Sequence, residues 1–204
     1  MKFEVEHAVD WITKVNEKIQ EQKDYLSSLD RAIGDGDHGI NMARGFQEVA
    51  NVLPNEEFGE VSDVLKKTAT TVMSKVGGAS GPLYGTVFLK MATAAKGAEV
   101  DDATFVKMVE AAVDGVKQRG KAEEGEKTMI DVWSPLLSSL KEESEVNSEK
   151  IREVAHSSME STKDMVATKG RAAYLKERSK GHLDPGAVSS YYVFEALAET
   201  MEKG

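Results

Sequence analysis

Apolar residues recur at three- and four-residue spacing along almost the whole chain, a period that predicts helices rather than strands. Val5, Ala8, Ile12, Val15, Ile19 and Leu26 mark one long first helix that ends before residue 30. Ile40, Ala43, Phe46, Val49 and Ala50 line a second, closed by Pro54-Asn55-Glu56-Glu57. Val61, Leu65, Thr68, Val72 and Val76 form a third, stopped by Gly77-Gly78; Pro82 to Lys96 makes a fourth, stopped by Gly97. Phe105, Val109, Ala112, Val113 and Val116 lie on a fifth that ends at Gly120, and Ile130, Trp133, Leu136, Leu137 and Leu140 on a sixth. Ile151, Ala155, Met159, Thr162 and Val166 define a seventh, and Val188, Tyr192, Leu197 and Met201 an eighth. No convincing alternating strand remains. The expected fold is therefore all-α, a bundle or helical barrel whose short connections make neighbouring helices antiparallel. Trp11 and Trp133 fall on apolar stripes and read as core.

Two connections are long: Arg119 to Thr128 and Gly170 to Asp184, both rich in glycine and charge. Ordered loops of this length in a compact domain are often functional. The 204 residues suffice for one well-buried core, so residues 1–204 are read as a single domain. The absence of cysteine removes disulfides and thiolate metal sites and fits a reducing compartment. No apolar run reaches membrane-spanning length and the N-terminus lacks a signal-peptide pattern, so a cytoplasmic protein without membrane contact is expected. A formal charge of −9 argues against direct nucleic-acid binding, while leaving room for a local cationic site.

The chemistry concentrates between the first two predicted helices, in Asp30-Arg31-Ala32-Ile33-Gly34-Asp35-Gly36-Asp37-His38-Gly39-Ile40-Asn41. Carboxylates so close repel one another, and a hard divalent cation, Mg²⁺ where phosphates complete the ligand set, would relieve that repulsion. Asp37 stands where a helix N-cap belongs, which would leave the amides of His38, Gly39 and Ile40 as donors for an anion. A solvated Asp-Gly-Asp turn is the plainer alternative. An EF-hand does not fit, because the twelfth position from Asp30 or Asp35 is Asn41 or Phe46 rather than Glu. The Gly34-x-Gly36-x-x-Gly39 spacing follows no apolar strand, and no P-loop pattern occurs.

Two further helix starts share this logic. Gly77-Gly78-Ala79-Ser80-Gly81-Pro82 offers close backbone approach at Gly78, with Ser80 as cap, and His182-Leu183-Asp184-Pro185-Gly186 places Asp184 as cap before Pro185. Upstream of the latter, Lys169, Arg171, Lys176, Arg178 and Lys180 crowd one loop, from which a guanidinium could fork onto phosphate oxygens. The alternatives are an ordinary helix junction and a basic surface loop. His38, next to Asp37, is expected near a bound phosphate; His7 and His156 read as surface residues within helices. The combination suits a Mg²⁺–nucleotide complex held by helix ends.

These motifs, together with Gly125-Glu126-Lys127-Thr128-Met129-Ile130-Asp131-Val132 and Gly170-Arg171-Ala172-Ala173-Tyr174-Leu175, resemble the nucleotide-binding L subunits of phosphotransferase-system-dependent dihydroxyacetone kinases and the homologous C-terminal domain of single-chain dihydroxyacetone kinases. The matching segments run in order over nearly the whole chain, without departure at the motif positions. The resemblance implies a barrel of eight antiparallel helices with the nucleotide at one end. It implies that Asp30, Asp35 and Asp37 coordinate two Mg²⁺ ions, and that His38, Gly39, Ile40, Asn41, Gly78, Ala79 and Ser80 bind the phosphate and ribose side. Gly120, Met129, Arg171, Asp184, Pro185 and Gly186 would complete the pocket, with Met129 an apolar face for adenine. It further implies tightly held ADP, recharged to ATP by a phosphohistidine subunit M, and phosphoryl transfer to dihydroxyacetone bound on a separate subunit K. The chain shows no evident nucleophile or sugar pocket, no catalytic residue is assigned to it, and the acid or base that moves a proton, if any, is left open. An ATP-exchanging kinase subunit, a nucleotide-dependent regulatory module that contacts a transcription regulator, a stand-alone phosphatase and a homodimer remain open at this level.

Overall fold

The computed structural model describes residues 2–143 and 145–203, and among them nine α-helices form: α1 (Val5–Glu21), α2 (Lys23–Ile33), α3 (His38–Val52), α4 (Val61–Lys75), α5 (Ser80–Ala95), α6 (Asp102–Gly120), α7 (Ile130–Glu142), α8 (Ser148–Ser161) and α9 (Pro185–Met201). Short 3₁₀ turns occupy Leu53–Asn55, Thr162–Asp164 and Arg171–Ser179. No strand forms among the described residues; one isolated antiparallel bridge joins Phe3 to Val100. The all-α class expected from the periodicity is what the chain adopts.

The helices pack in a closed circuit. α1 lies on α3, each of α3 to α8 on its successor, and α9 returns to α1, while α2 flanks α3 and α9. One contiguous apolar cluster draws residues from all nine helices. At its centre Trp11, Phe46, Tyr84 and Phe88 meet edge to face, with ring centroids 6.0 to 6.5 Å apart, the arrangement aromatic quadrupoles favour. The Trp11 indole N–H, which burial would otherwise leave unsatisfied, donates to the Val193 carbonyl at 2.9 Å.

Three boundaries differ from the sequence reading, each for a physical reason. The expected first helix is two helices, because Gln22 (φ −98°, ψ 9°) leaves helical geometry. Ile19 and Leu26 stand seven residues apart, so the apolar face continues across the break and periodicity alone conceals it. α5 begins at Ser80 rather than Pro82. Val166 lies beyond α8, since the helix gives way to a 3₁₀ turn at Thr162, whose carbonyl is taken by the ammonium of Lys127. That carbonyl would otherwise accept from the amide of Val166.

Gly39 sets the distance between α2 and α3. A Cβ there would stand 1.9 Å from the Lys23 carbonyl oxygen and 2.6 Å from Ser27 Oγ. Replacing Gly39 by Ala should therefore cost about 1–3 kcal/mol in urea unfolding, as overpacking does, whereas Ile40→Ala, at a side chain 55% exposed, should stay within about 0.5 kcal/mol. Equal effects of the two would contradict this packing.

Candidate functional site

A cleft of about 680 Å³ opens at one end of the helix circuit. Its walls come from the N-terminal ends of α3, α5, α7 and α9 and from the C-terminal ends of α2 and α6. Alternation of ends between neighbours is what antiparallel order produces, and it gathers short distant segments at one place. Of the residues singled out in the sequence, Asp30, Asp35, Asp37, His38, Asn41, Gly78, Ala79, Ser80, Gly120, Met129, Arg171, Asp184, Pro185 and Gly186 line the cleft. Gly39 and Ile40 do not: the first is buried against α2 and the second faces outward.

Asp30 sits in the last turn of α2, and Asp35 and Asp37 in the link to α3. Gly36, with φ of 80°, supplies the left-handed turn that folds this link back. The amides of Asp37 and His38 then donate to Asp30 Oδ2 at 2.9 and 3.1 Å. Asp30 thus satisfies the start of α3, a role the sequence assigned to Asp37, whose side chain makes no capping bond. The His38 amide is accordingly engaged rather than free. One oxygen from each of the three aspartates lies within 4.8 Å of the others. Burial lifts the Asp30 carboxyl above its usual range and the Asp35 charge adds to this, while the two amides pull the other way. Arg171 Nε forms an ion pair with Asp35 Oδ2 at 3.1 Å on an exposed edge of the cleft. Three converging hard oxygens, offset by one guanidinium, match the donor set of Mg²⁺.

The opposite wall holds a buried polar chain. Ser80 Oγ lies 2.9 Å from His38 Nδ1, and His38 Nε2 lies 2.9 Å from Ser189 Oγ. Ser189 Oγ is 2.6 Å from the Tyr84 hydroxyl, which is 3.0 Å from Ser190 Oγ, and Ser190 accepts from the indole N–H of Trp133 at 2.9 Å. Ser80 is therefore the first helical residue of α5 with its hydroxyl turned to histidine, rather than a cap. Burial presses the His38 pKa down to about 4 and raises the Tyr84 hydroxyl far above its ordinary range. The imidazole is consequently a neutral brace and carries no positive charge toward an anion.

Asp184 does cap α9, accepting from the Ala187 amide at 2.8 Å. Burial pushes its pKa up to about 7 against the pull of that amide and of Lys127. Leu83, Val116, Ala122, Met129 and Ile130 add apolar side chains to the cleft lining, with Gly120 among them. The expected loop from Gly170 to Asp184 is partly ordered into the Arg171–Ser179 turns, kinked at Lys176 (φ 51°).

Sequence reasoning gave no role to Lys127 or Asp131. Asp131 Oδ2 accepts from the Thr128 amide at 2.8 Å while Thr128 Oγ1 accepts from the Ile130 amide at 3.2 Å, and Asp131 Oδ1 takes the Gly125 amide at 2.6 Å. The Thr-x-x-Asp spacing was the available signal, a capping arrangement at the start of a helix. Lys127 had no such signal, because its acceptors are backbone carbonyls. For His38, an imidazole kept neutral by burial should show no titration in NMR-detected shifts down to about pH 5 in the ligand-free protein; a midpoint near the ordinary value of 6.5 would contradict the buried brace.

Residues 32–199 match the DAK2 domain. The chain is 48% identical to the ADP-binding subunit DhaL of a PEP-dependent dihydroxyacetone kinase of Listeria innocua, covering 98% of both chains. It is 44% identical to the corresponding DhaL subunit of Escherichia coli, over 93% of this chain and 94% of that one. Among solved structures it resembles the dihydroxyacetone kinase of C. freundii in complex with AMP-PNP and Mg²⁺, with a TM-score of 0.73 and 26% identity; the match covers 98% of this chain and 34% of that longer one. The ordered motifs, the helix circuit and these likenesses agree, and the chain belongs to the DAK2-domain family, on the branch that contains the DhaL subunits of dihydroxyacetone kinases.

Proposed function

We propose that this chain is the nucleotide-carrying subunit of a dihydroxyacetone kinase, a phosphotransferase, and that the cleft holds ADP or ATP together with Mg²⁺. The observation that carries the reading is the convergence of Asp30, Asp35 and Asp37 in a cleft that Leu83, Val116, Met129 and Ile130 also line. Charged groups for the phosphates and apolar surface for the base are the two requirements of a nucleotide polyphosphate. The aspartates would hold the metal, and the count of two ions belongs to this proposal. When bound, the metal would neutralise phosphate charge, which is most of what phosphoryl transfer asks of a site.

The chain's own groups then have distinct tasks. Asp30 is oriented by two amides, so one of its oxygens is pre-set and does not reorganise on binding. Arg171, now on Asp35, is a cation within reach of a phosphate that enters beside the aspartates. The His38–Ser80–Ser189–Tyr84 chain fixes the wall between the N-termini of α3, α5 and α9. Met129, Leu83 and Val116 would sandwich the base.

In the finer reading, ADP stays bound in the cytoplasmic protein, a phosphohistidine subunit M recharges it in place, and the phosphoryl group passes to dihydroxyacetone on a subunit K. The 48% identity to a PEP-dependent subunit, against 26% to a C. freundii kinase of about three times this length, favours this over an ATP-exchanging kinase. A contact with a transcription regulator and a homodimer have no particular observation in their favour.

Turnover of dihydroxyacetone should proceed with this chain in catalytic amount, subunits K and M and a phosphohistidine donor, with no added ATP. A requirement for stoichiometric ATP would instead assign an exchanging kinase. Asp35→Asn removes one of three converging ligands and should weaken Mg²⁺ and ADP together, by about tenfold or more, in calorimetric titration. Unchanged ADP affinity in that variant would remove Asp35 from the ligand set.

A further inference from the structure

Lys127 is 1% exposed, yet its ammonium has no carboxylate partner within salt-bridge distance among the described residues. It donates instead to three backbone carbonyls: Thr162 at 2.7 Å, Met165 at 3.2 Å, and His182. A buried charge bonded to carbonyls is costly to desolvate, and burial lowers its pKa against the more distant charges of Asp184 and Asp164. The backbone at Lys127 is also left-handed, with φ of 63°, a conformation uncommon for a side chain of this kind. Neither feature follows from the needs of the core.

The three carbonyls have a telling arrangement. Thr162 and Met165 begin the excursion between α8 and α9, and His182 ends it. The excursion is closed at the same neck by the Gly181 amide donating to the Lys163 carbonyl at 2.7 Å and the Asp184 amide donating to Thr162 Oγ1 at 3.1 Å. Higher up, the Ala167 amide donates to Ser179 Oγ at 2.9 Å. Arg171 stands on the far part of this loop, and Lys127 itself leads into Met129 of the cleft lining. Lys127 bonds carbonyls at both ends of the loop, and between them the Thr168 amide donates to the Glu126 carbonyl at 3.3 Å, so the segment that leads into Met129 is tied to the loop at its ends and along its length.

We infer that Lys127 is a positioning residue, a clasp that closes the loop of residues 162–182 on the start of α7 and so holds Arg171 beside Asp35 on the edge of the cleft. The inference rests on the nucleotide reading for its consequence, not for its geometry. Three N–H donors match three carbonyls, and the unbranched side chain reaches the neck where a shorter one would not. Arg171 has an exposed side chain whose ion-pair partner among the described residues is Asp35, and the adjoining Ala172 packs with Ala167 and Leu175 against Ile33 of α2, so its place is set by where the loop lies.

The test is a double-mutant cycle with amide hydrogen exchange on the full chain. In the ligand-free protein, Lys127→Met should speed exchange selectively across residues 163–182, with the α1 and α5 cores unchanged. ADP affinity in the presence of Mg²⁺ should fall by about tenfold, within the range seen for coupled neighbours. If Lys127 acts through Arg171, the Lys127→Met/Arg171→Ala double variant binds ADP no more weakly than the weaker single variant. Lys127→Arg, which keeps the charge, the N–H donors and a comparable reach, should fall between wild type and Lys127→Met, and the same cycle is run on it if Lys127→Met does not fold. Uniform loss of protection over the whole chain, or losses that multiply in the double variant, would overturn the clasp and leave Lys127 a residue of general stability. Wild-type protein that fails to bind ADP while the selective exchange effect persists would overturn the nucleotide reading and not the clasp.

Discussion

Three carboxylates held within one cation's reach are the constraint around which this molecule is arranged. Asp30, Asp35 and Asp37 repel one another, and the chain holds them together with local devices that leave oxygens available. The left-handed turn at Gly36 folds the link back, two amides at the start of α3 hold one oxygen of Asp30, and Arg171 offsets part of the charge from across the cleft. The first two come from residues 36–38 and the third from the loop between α8 and α9, so the set is complete only when that loop lies against the end of α2.

The closed helix circuit explains why one end of the fold is chemical. Antiparallel neighbours bring helix starts and helix ends alternately to the same face, so four N-termini with their partial positive charge surround the aspartate cluster. The ring interior is filled by aromatic and aliphatic side chains, and the polar groups that penetrate it form a continuous chain from Ser80 through His38, Ser189 and Tyr84 to Ser190 and Trp133. Such a network stiffens the wall behind the cleft, because every member would be left unsatisfied if its neighbour moved. Neutrality of His38 follows from this setting: the ring is braced by hydroxyls on both sides and is poorly placed to be charged.

Much of this was legible in the sequence. The helix period, the aspartate-glycine stretch and the two further glycine-bearing helix starts pointed to an all-α fold with a site made of helix ends, and most of the residues named there line one cleft. What the sequence concealed has physical causes. Gln22 breaks a helix without interrupting its apolar face, so periodicity passes over it. Gly39 is a glycine for the approach of α2, and a motif reading cannot separate that from approach of a ligand. Lys127 binds carbonyls, which every residue carries, so no partner in the sequence announces it.

The account's central claim is that the cleft carries a metal-bound nucleotide. It is tested most directly by purifying the protein, dialysing it exhaustively, denaturing it, and identifying the released small molecules by mass spectrometry with metal analysis on the same sample. ADP in stoichiometric amount, accompanied by Mg²⁺, is the predicted result. Protein that releases neither, and that takes up neither ADP nor ATP when both are supplied with Mg²⁺, would contradict the account.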